Sequence, residues 1–301
     1  MSAAQASPTN TITRGTRALE RRVRAQPSVW RRLLRNRRVV MGGSVLIAFY
    51  LIALFAPWLA PADPNGQILL ERLQPPSSAH WFGTDSLGRD ILSRAIYATR
   101  ISLGVSLVAM AITIVIGTTF GLLAGFLGGW VDSVLMRFTD MLLAFPVFIL
   151  LVTIVAIYGS SIPLLITFLG LTAWPVTART VRAETLSLRQ REYIQAARVS
   201  GASTIHILLR HLLPGVLSII VVAGTLRVAT VILVESGLSY FGLGVTPPTP
   251  TWGNMVADGR LFLEQAWWIT TFPGLLVVIT IIAYNLLGDG LRDTFDPRRR
   301  G

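Results

Sequence analysis

From Met141 to Ala178 the chain carries no charged residue, and from Ile101 to Val131 it carries none either. A hydrocarbon layer about 30 Å thick is crossed by a helix of roughly 20 apolar residues. Runs of this kind therefore predict helices that span a membrane. Six segments qualify. The first covers Val39 to about Ala60, and the second Ile101 to about Val131. The run from Met141 to Ala178 is too long for one crossing, and "YGSSIP" (Tyr158 to Pro163) interrupts it with turn-forming residues. It divides into a third and a fourth span. The fifth covers about Gly215 to Glu235, and the sixth about Ala266 to Gly288. Only 14% of residues are charged, against about a quarter in a soluble domain. The expected fold class is an all-α membrane protein with six transmembrane helices.

Arginine sets the expected orientation. Residues 1–38 hold ten Arg against a single acid, Glu20, and residues 179–214 hold six Arg against two Glu. Residues 60–100 balance four Arg with four acids. Basic loops stay in the cytoplasm, and an even number of spans returns both termini to one side. The N-terminus, the segment around 191–214 and the closing "DPRRRG" are thus expected to be cytoplasmic. The chain divides into an Arg-rich N-terminus with an interfacial helix (1–38), a first span with an external loop (39–100), and a five-helix core (101–301).

The N-terminal stretch admits three readings: a transit peptide, a nucleic-acid arm, or a topology signal with a helix lying on the membrane surface. The last is adopted, with no nucleic-acid partner. In "SVWRRLLRNRR" the apolar Val29, Trp30, Leu33 and Leu34 share one helical face. No secretory signal peptide is evident.

Several chemistries are excluded. All 27 basic residues are Arg, so a phosphate-binding GxxxxGK[ST] loop cannot exist. With no Cys and only three His, at 80, 206 and 211, no thiolate or HExxH-type metal site is expected. No catalytic residue, cofactor site or metal site is assigned to the chain.

Within the spans, Gly117, Gly121, Gly125 and Gly129 recur every four residues and predict close packing against another helix. Arg227 falls near the middle of the fifth span, where a charge costs at least about 2.5–3.5 kcal/mol. Glu235 follows eight residues later, on a similar face. Two readings stay open for the pair: buried groups satisfied within a bundle, or charges lining a pathway in which Arg227 attracts a carboxylate. Asp132, Arg137, Asp140 and Asp289 read as interfacial or locally paired charges.

The segment "REYIQAARVSGASTIHILLRHLLP", Arg191 to Pro214, is polar and basic between two spans. Tyr193, Ala196, Ala197 and Ser200 repeat at helical spacing as a shallow face of small residues. Gly201 suits a left-handed helix end, and Ser203 a new N-cap. Ile205, Leu208, Leu209 and Leu212 then repeat the spacing until Pro214 opens the next span. A helix–Gly–helix elbow is expected.

This segment resembles the EAA loop, EAA-x3-G-x9-I-x-LP, of permease subunits of binding-protein-dependent ABC importers. Ala196, Ala197, Gly201, Leu213 and Pro214 match it in register, while Gln195 replaces the first Glu and His211 the Ile. Glu192 stands one turn earlier. Three further stretches are similar to the C-type permeases of dipeptide, oligopeptide and nickel importers: "HWFGTDSLGRDILSRAIYATRISLG", "SYFGLGVTPPTPTWGNM" and "FPGLLVVITIIAYNLLGDGLRD".

The resemblance implies half of a translocation path for peptides in the bilayer of a bacterial or archaeal inner membrane. A second permease subunit would complete the path, and an external solute-binding protein would deliver the substrate. Two cytoplasmic ATPase subunits would hydrolyse ATP and dock on Glu192, Gln195, Ala196, Ala197, Arg198, Gly201, Leu213 and Pro214. Arg198 and Glu192 are expected to pair at the rim. The external loops, with Asp85, Arg89, Asp90 and Trp252, either contact the binding protein or cap the helices. Related permeases also carry nickel complexes, opines or glutathione. A self-sufficient secondary transporter or channel would show inverted repeats or a carboxylate relay, and neither is seen; no motif supports a membrane enzyme.

Overall fold

Asp90 marks the true start of the second span. Its carboxylate accepts the Ser93 amide at 2.8 Å and so caps a helix that runs from Ile91 to Leu127. The expected start at Ile101 is therefore ten residues late. Arg94 and Arg100 misled the reading, because the former is buried by pairing instead of marking a water-exposed loop.

The computed structural model describes residues 29–295, with side chains from residue 31. The first 28 residues and "DPRRRG" lie outside, as do the side chains of Val29 and Trp30. In chain order the helices are α1 (Val29–Arg35), α2 (Arg37–Leu54), α3 (Ala56–Leu59), α4 (Ile91–Leu127), α5 (Gly129–Ala144), α6 (Val147–Tyr158), α7 (Ile162–Leu188), α8 (Glu192–Val199), α9 (Thr204–Ile207), α10 (Leu213–Tyr240), α11 (Trp252–Gly259) and α12 (Trp268–Phe295). Among the described residues the sole β feature is an isolated bridge between Thr84 and Asp90.

Five helices are long and apolar enough to cross a membrane, and α5 with α6 makes a sixth crossing if the bent pair is counted as one. That pair turns by 75° at Phe145–Pro146. Proline lacks the amide hydrogen and its ring collides with the preceding turn. The break at "YGSSIP" forms as expected: Gly159 takes φ +75° after α6, and Ser161 caps α7.

The fifth span is longer than its apolar run. α9, a π-helical turn at Leu208–Leu212 and α10 join into one helix from Thr204 to Tyr240. Pro214 does not open a new helix but lies inside this one. The wider π-turn just before it accommodates a residue that can neither donate to nor pack against the ladder.

α4 and α7 pack closely along a shared seam. A β-carbon on Gly117 would sit 2.7 Å from Thr177 Cβ, one on Gly121 2.6 Å from Ala178 O, and one on Gly125 2.7 Å from Thr185 Cβ. Thr113 Oγ1 donates to Gly170 O at 3.1 Å across the same seam. Gly129 is a correction: α4 stops at Leu127, and Gly129 begins α5 at φ +54° with open space around it. Two ion pairs tie α5 to α7. Asp132 receives a bidentate Arg182 at 2.5 and 2.6 Å, and Asp140 pairs with Arg179. On the other side of the bundle, Gly42 abuts Ala283 O of α12, and Tyr50 and Tyr284 share a 2.6 Å hydrogen bond.

Candidate functional site

The segment Arg191–Pro214 folds as two helical arms joined at a glycine. Glu192 sits in the first turn of α8, where a carboxylate favours the exposed N–H groups. α8 ends in a Schellman motif: Ala202 N–H donates to Ala197 O at 3.1 Å and Gly201 N–H to Arg198 O at 3.0 Å. That geometry needs a left-handed residue, and Gly201 supplies φ +78°. Ser203 Oγ accepts the His206 amide at 3.3 Å and starts the second arm.

One side of the elbow is held firmly. Ile194, Ile207, Leu208 and Leu212 are buried with Leu122, Phe126 and Val181 at the ends of α4 and α7. The Arg198 guanidinium lies over the Phe126 ring, 4.6 Å from its centre. Gln195 Nε2 donates to Arg189 O at 2.9 Å, and Arg189 Nη1 to Gly125 O at 3.0 Å. The other side stands free. Val199 is 90% exposed and Ile205 69%, with Tyr193, Leu209, Glu192, Ala196 and Pro214 also exposed. Ala197 and Leu213 are half-buried.

Two expectations about the elbow change. Arg198 does not pair with Glu192, because the aromatic ring claims its guanidinium. The series Ile205, Leu208, Leu209, Leu212 is not one face: Leu208 and Leu212 point inward while Ile205 and Leu209 point out.

Arg227 and Glu235 are not brought together. Glu235 is fully buried, accepting hydrogen bonds from Ser239 Oγ at 2.9 Å and Ser236 Oγ at 3.5 Å. It lines no open path in this conformation. Arg227 is half-buried and has no hydrogen bond or ion pair among the described residues.

At the end of the bundle opposite the elbow, the four residues expected either to contact the binding protein or to cap the helices are interior. Asp85, Arg89 and Asp90 are at most 6% exposed and Trp252 is fully buried. Arg89 Nε binds Asp85 at 2.6 Å, Arg89 Nη2 lies 3.5 Å from Asp258 of α11, and Arg94 Nε lies 3.7 Å from Asp85. Trp252 packs on Phe49 in the main core. These residues fasten the 60–90 segment to α4 and α11, so none of the four side chains offers a surface to a receptor. Burial raises the Asp258 carboxyl above its usual range, against the pull of Arg94 and Arg89.

Sequence reasoning missed Arg94, Asp258 and His80. His80 sits between two carboxylates, with Nδ1 2.9 Å from Asp90 and Nε2 3.2 Å from Glu71. The Asp90 hydrogen bond raises its pKa, with Glu71 adding to it and desolvation opposing. A raised folded value contributes stability that is complete below the ordinary histidine pKa and is lost as pH rises through the folded one. The melting temperature should therefore fall as pH rises from the ordinary histidine pKa through the raised folded one. In His80→Gln that window should be flat; an unchanged pH profile in the variant would exclude His80 as the origin.

With this geometry in view, the comparisons with known proteins are consistent. Residues 117–301 match the family described as "Binding-protein-dependent transport system inner membrane component". Residues 28–76 match the "N-terminal TM domain of oligopeptide transport permease C". A glutathione transport system permease protein, GsiD, of Pectobacterium atrosepticum is 44% identical over 89% of this chain and 90% of its own length. A dipeptide transport system permease protein, DppC, of Alkalihalophilus pseudofirmus is 39% identical over 91% of both. Among solved structures, an inward-facing MetNI methionine ABC transporter has a similar fold. Its TM-score is 0.53 at 21% identity, covering 68% of this chain and 97% of the other. An elbow between two spans, a mostly helical bundle and family matches over both parts of the chain converge: the chain belongs to the inner-membrane permeases of binding-protein-dependent ABC importers, in the dipeptide and oligopeptide group.

Proposed function

We propose that this permease moves short peptides, dipeptides or glutathione, and that the elbow at 191–214 receives the motion of two ATPase subunits which hydrolyse ATP. A second, non-identical permease subunit completes the path, and an external binding protein delivers the substrate. The carrying observation is mechanical. The second arm of the elbow and the fifth span are one helix, so a push on Thr204 travels about 35 Å to Arg227 at 1.5 Å per residue. The arginines of the N-terminal region and of 179–214 support a cytoplasmic elbow. Relatives named for glutathione and dipeptide transport support the substrate class.

The test is ATP-driven uptake in proteoliposomes holding the chain with its partner permease, ATPases and binding protein. Uptake of labelled glutathione or dipeptide should need every component; uptake by this chain alone would sink the reading.

Arg227 is the candidate contact for the substrate carboxylate, because a half-buried guanidinium with no partner among the described residues is costly unless something anionic visits it. Arg227→Ala should slow uptake of a free-acid peptide about ten-fold or more, the effect of losing one charged hydrogen bond. The C-terminal amide of the same peptide should be transported alike by both proteins. Equal slowing of acid and amide would remove Arg227 from this role.

A further inference from the structure

Two of the chain's three histidines share the elbow, and the π-turn decides their relation. His206 and His211 are five residues apart. In an α-helix of 3.6 residues per turn that spacing sets side chains roughly 140° apart around the axis. The wider turn at Leu208–Leu212 closes this angle, and the rings stand 5.6 Å between centres, inclined at 66°. The Tyr193 ring lies 6.3 Å from that of His211.

Free nitrogens distinguish this pair from a packed histidine. His206 is exposed and His211 half-exposed, and among the described residues no hydrogen bond or ion pair engages either ring. His80, by contrast, has both nitrogens occupied by carboxylates. Neutral imidazole is the commonest protein ligand for zinc, copper and nickel. Two imidazoles on one ion, with bonds of about 2.1 Å, place their ring centres roughly 5–6 Å apart as the ligand angle opens from tetrahedral. The observed 5.6 Å falls within that span.

We propose that His206 and His211 form a two-imidazole site for a borderline divalent transition ion, with Zn²⁺ as its representative. Water fills the remaining positions, since among the described residues no group of three or more His, Cys, Asp or Glu could hold a metal. Arg210, beside the pair and exposed, weakens attraction for any cation, so binding relies on the nitrogen bonds and not on the local field. An ion held there ties the π-turn across its open side, next to Tyr193. Binding itself does not depend on the elbow's part in coupling.

The experiment titrates Zn²⁺ into the detergent-purified full chain, without a polyhistidine tag, against a chromophoric chelator. One ion per chain is expected. His206→Asn and His211→Asn should each weaken binding about ten-fold or more, as loss of one of two ligands requires, while His80→Asn leaves it unchanged. X-ray absorption of the complex gives a second readout, with two imidazoles expected around the zinc. Absence of binding, binding that survives the double variant, or a first shell holding fewer than two imidazoles would each overturn the site.

Discussion

Gly121→Leu is expected to prevent assembly of the bundle. At this position even a β-carbon would come within 2.6 Å of Ala178 O and 2.7 Å of Val181 Cβ. The nearer atom is backbone, so no rotamer change relieves it; α4 must move away from α7. A leucine adds three further carbons in the same direction. Overpacking a close seam costs about 1–3 kcal/mol when neighbours yield, and more where they are main chain. Detergent-purified variant should aggregate, or melt at least about 5 °C lower, as roughly 2 kcal/mol dictates. Gly104→Ala and Gly43→Ala are the controls, since nothing lies within 4 Å of a β-carbon at either. A Gly121→Leu protein as stable as these controls would mean that the α4–α7 approach is wrongly described.

Gly201→Asp is expected to stop ATP-driven uptake while the chain still folds. Gly201 has φ +78°, and no atom would meet a β-carbon there. Its demand is conformational, about 1–2 kcal/mol for an L-residue in the left-handed region. That cost falls on an exposed elbow, outside the core. Gly201→Asn, which tolerates the same φ better, should retain part of the uptake. Loss in the aspartate variant would then come from a carboxylate and a shifted arm at the proposed docking face. Survival of both uptake and ATPase co-purification would refute docking on this elbow.

Much of this molecule is readable from spacing. The long uncharged runs predict the spans because lipid accepts no unpaired backbone. Gly201 and Ser203 mark the elbow because their chemistry is local: one backbone angle and one side-chain cap. The break at "YGSSIP" is legible for the same reason. Boundaries that depend on distant partners are not. α4 begins ten residues before its apolar run because Arg94, which looks like a loop residue, is buried and neutralised by Asp85. Pro146 bends a span that composition alone leaves straight, whereas Pro175 and Pro273 sit inside continuous helices.

The functional residues divide along the same line. Chain chemistry alone rules out a phosphate-binding loop, orders the six apolar segments and locates the elbow, since each follows from residue type at short range. Folding settles which charges meet. Asp85, Arg89, Asp90 and Trp252 look like loop-surface groups, yet they are interior because α11 and α4 close over them. His206 and His211 look unrelated until a π-turn sets them side by side. Periodicity describes one helix at a time; the energies that bury an arginine or bring two imidazoles into range belong to contacts between helices and to local departures from 3.6 residues per turn.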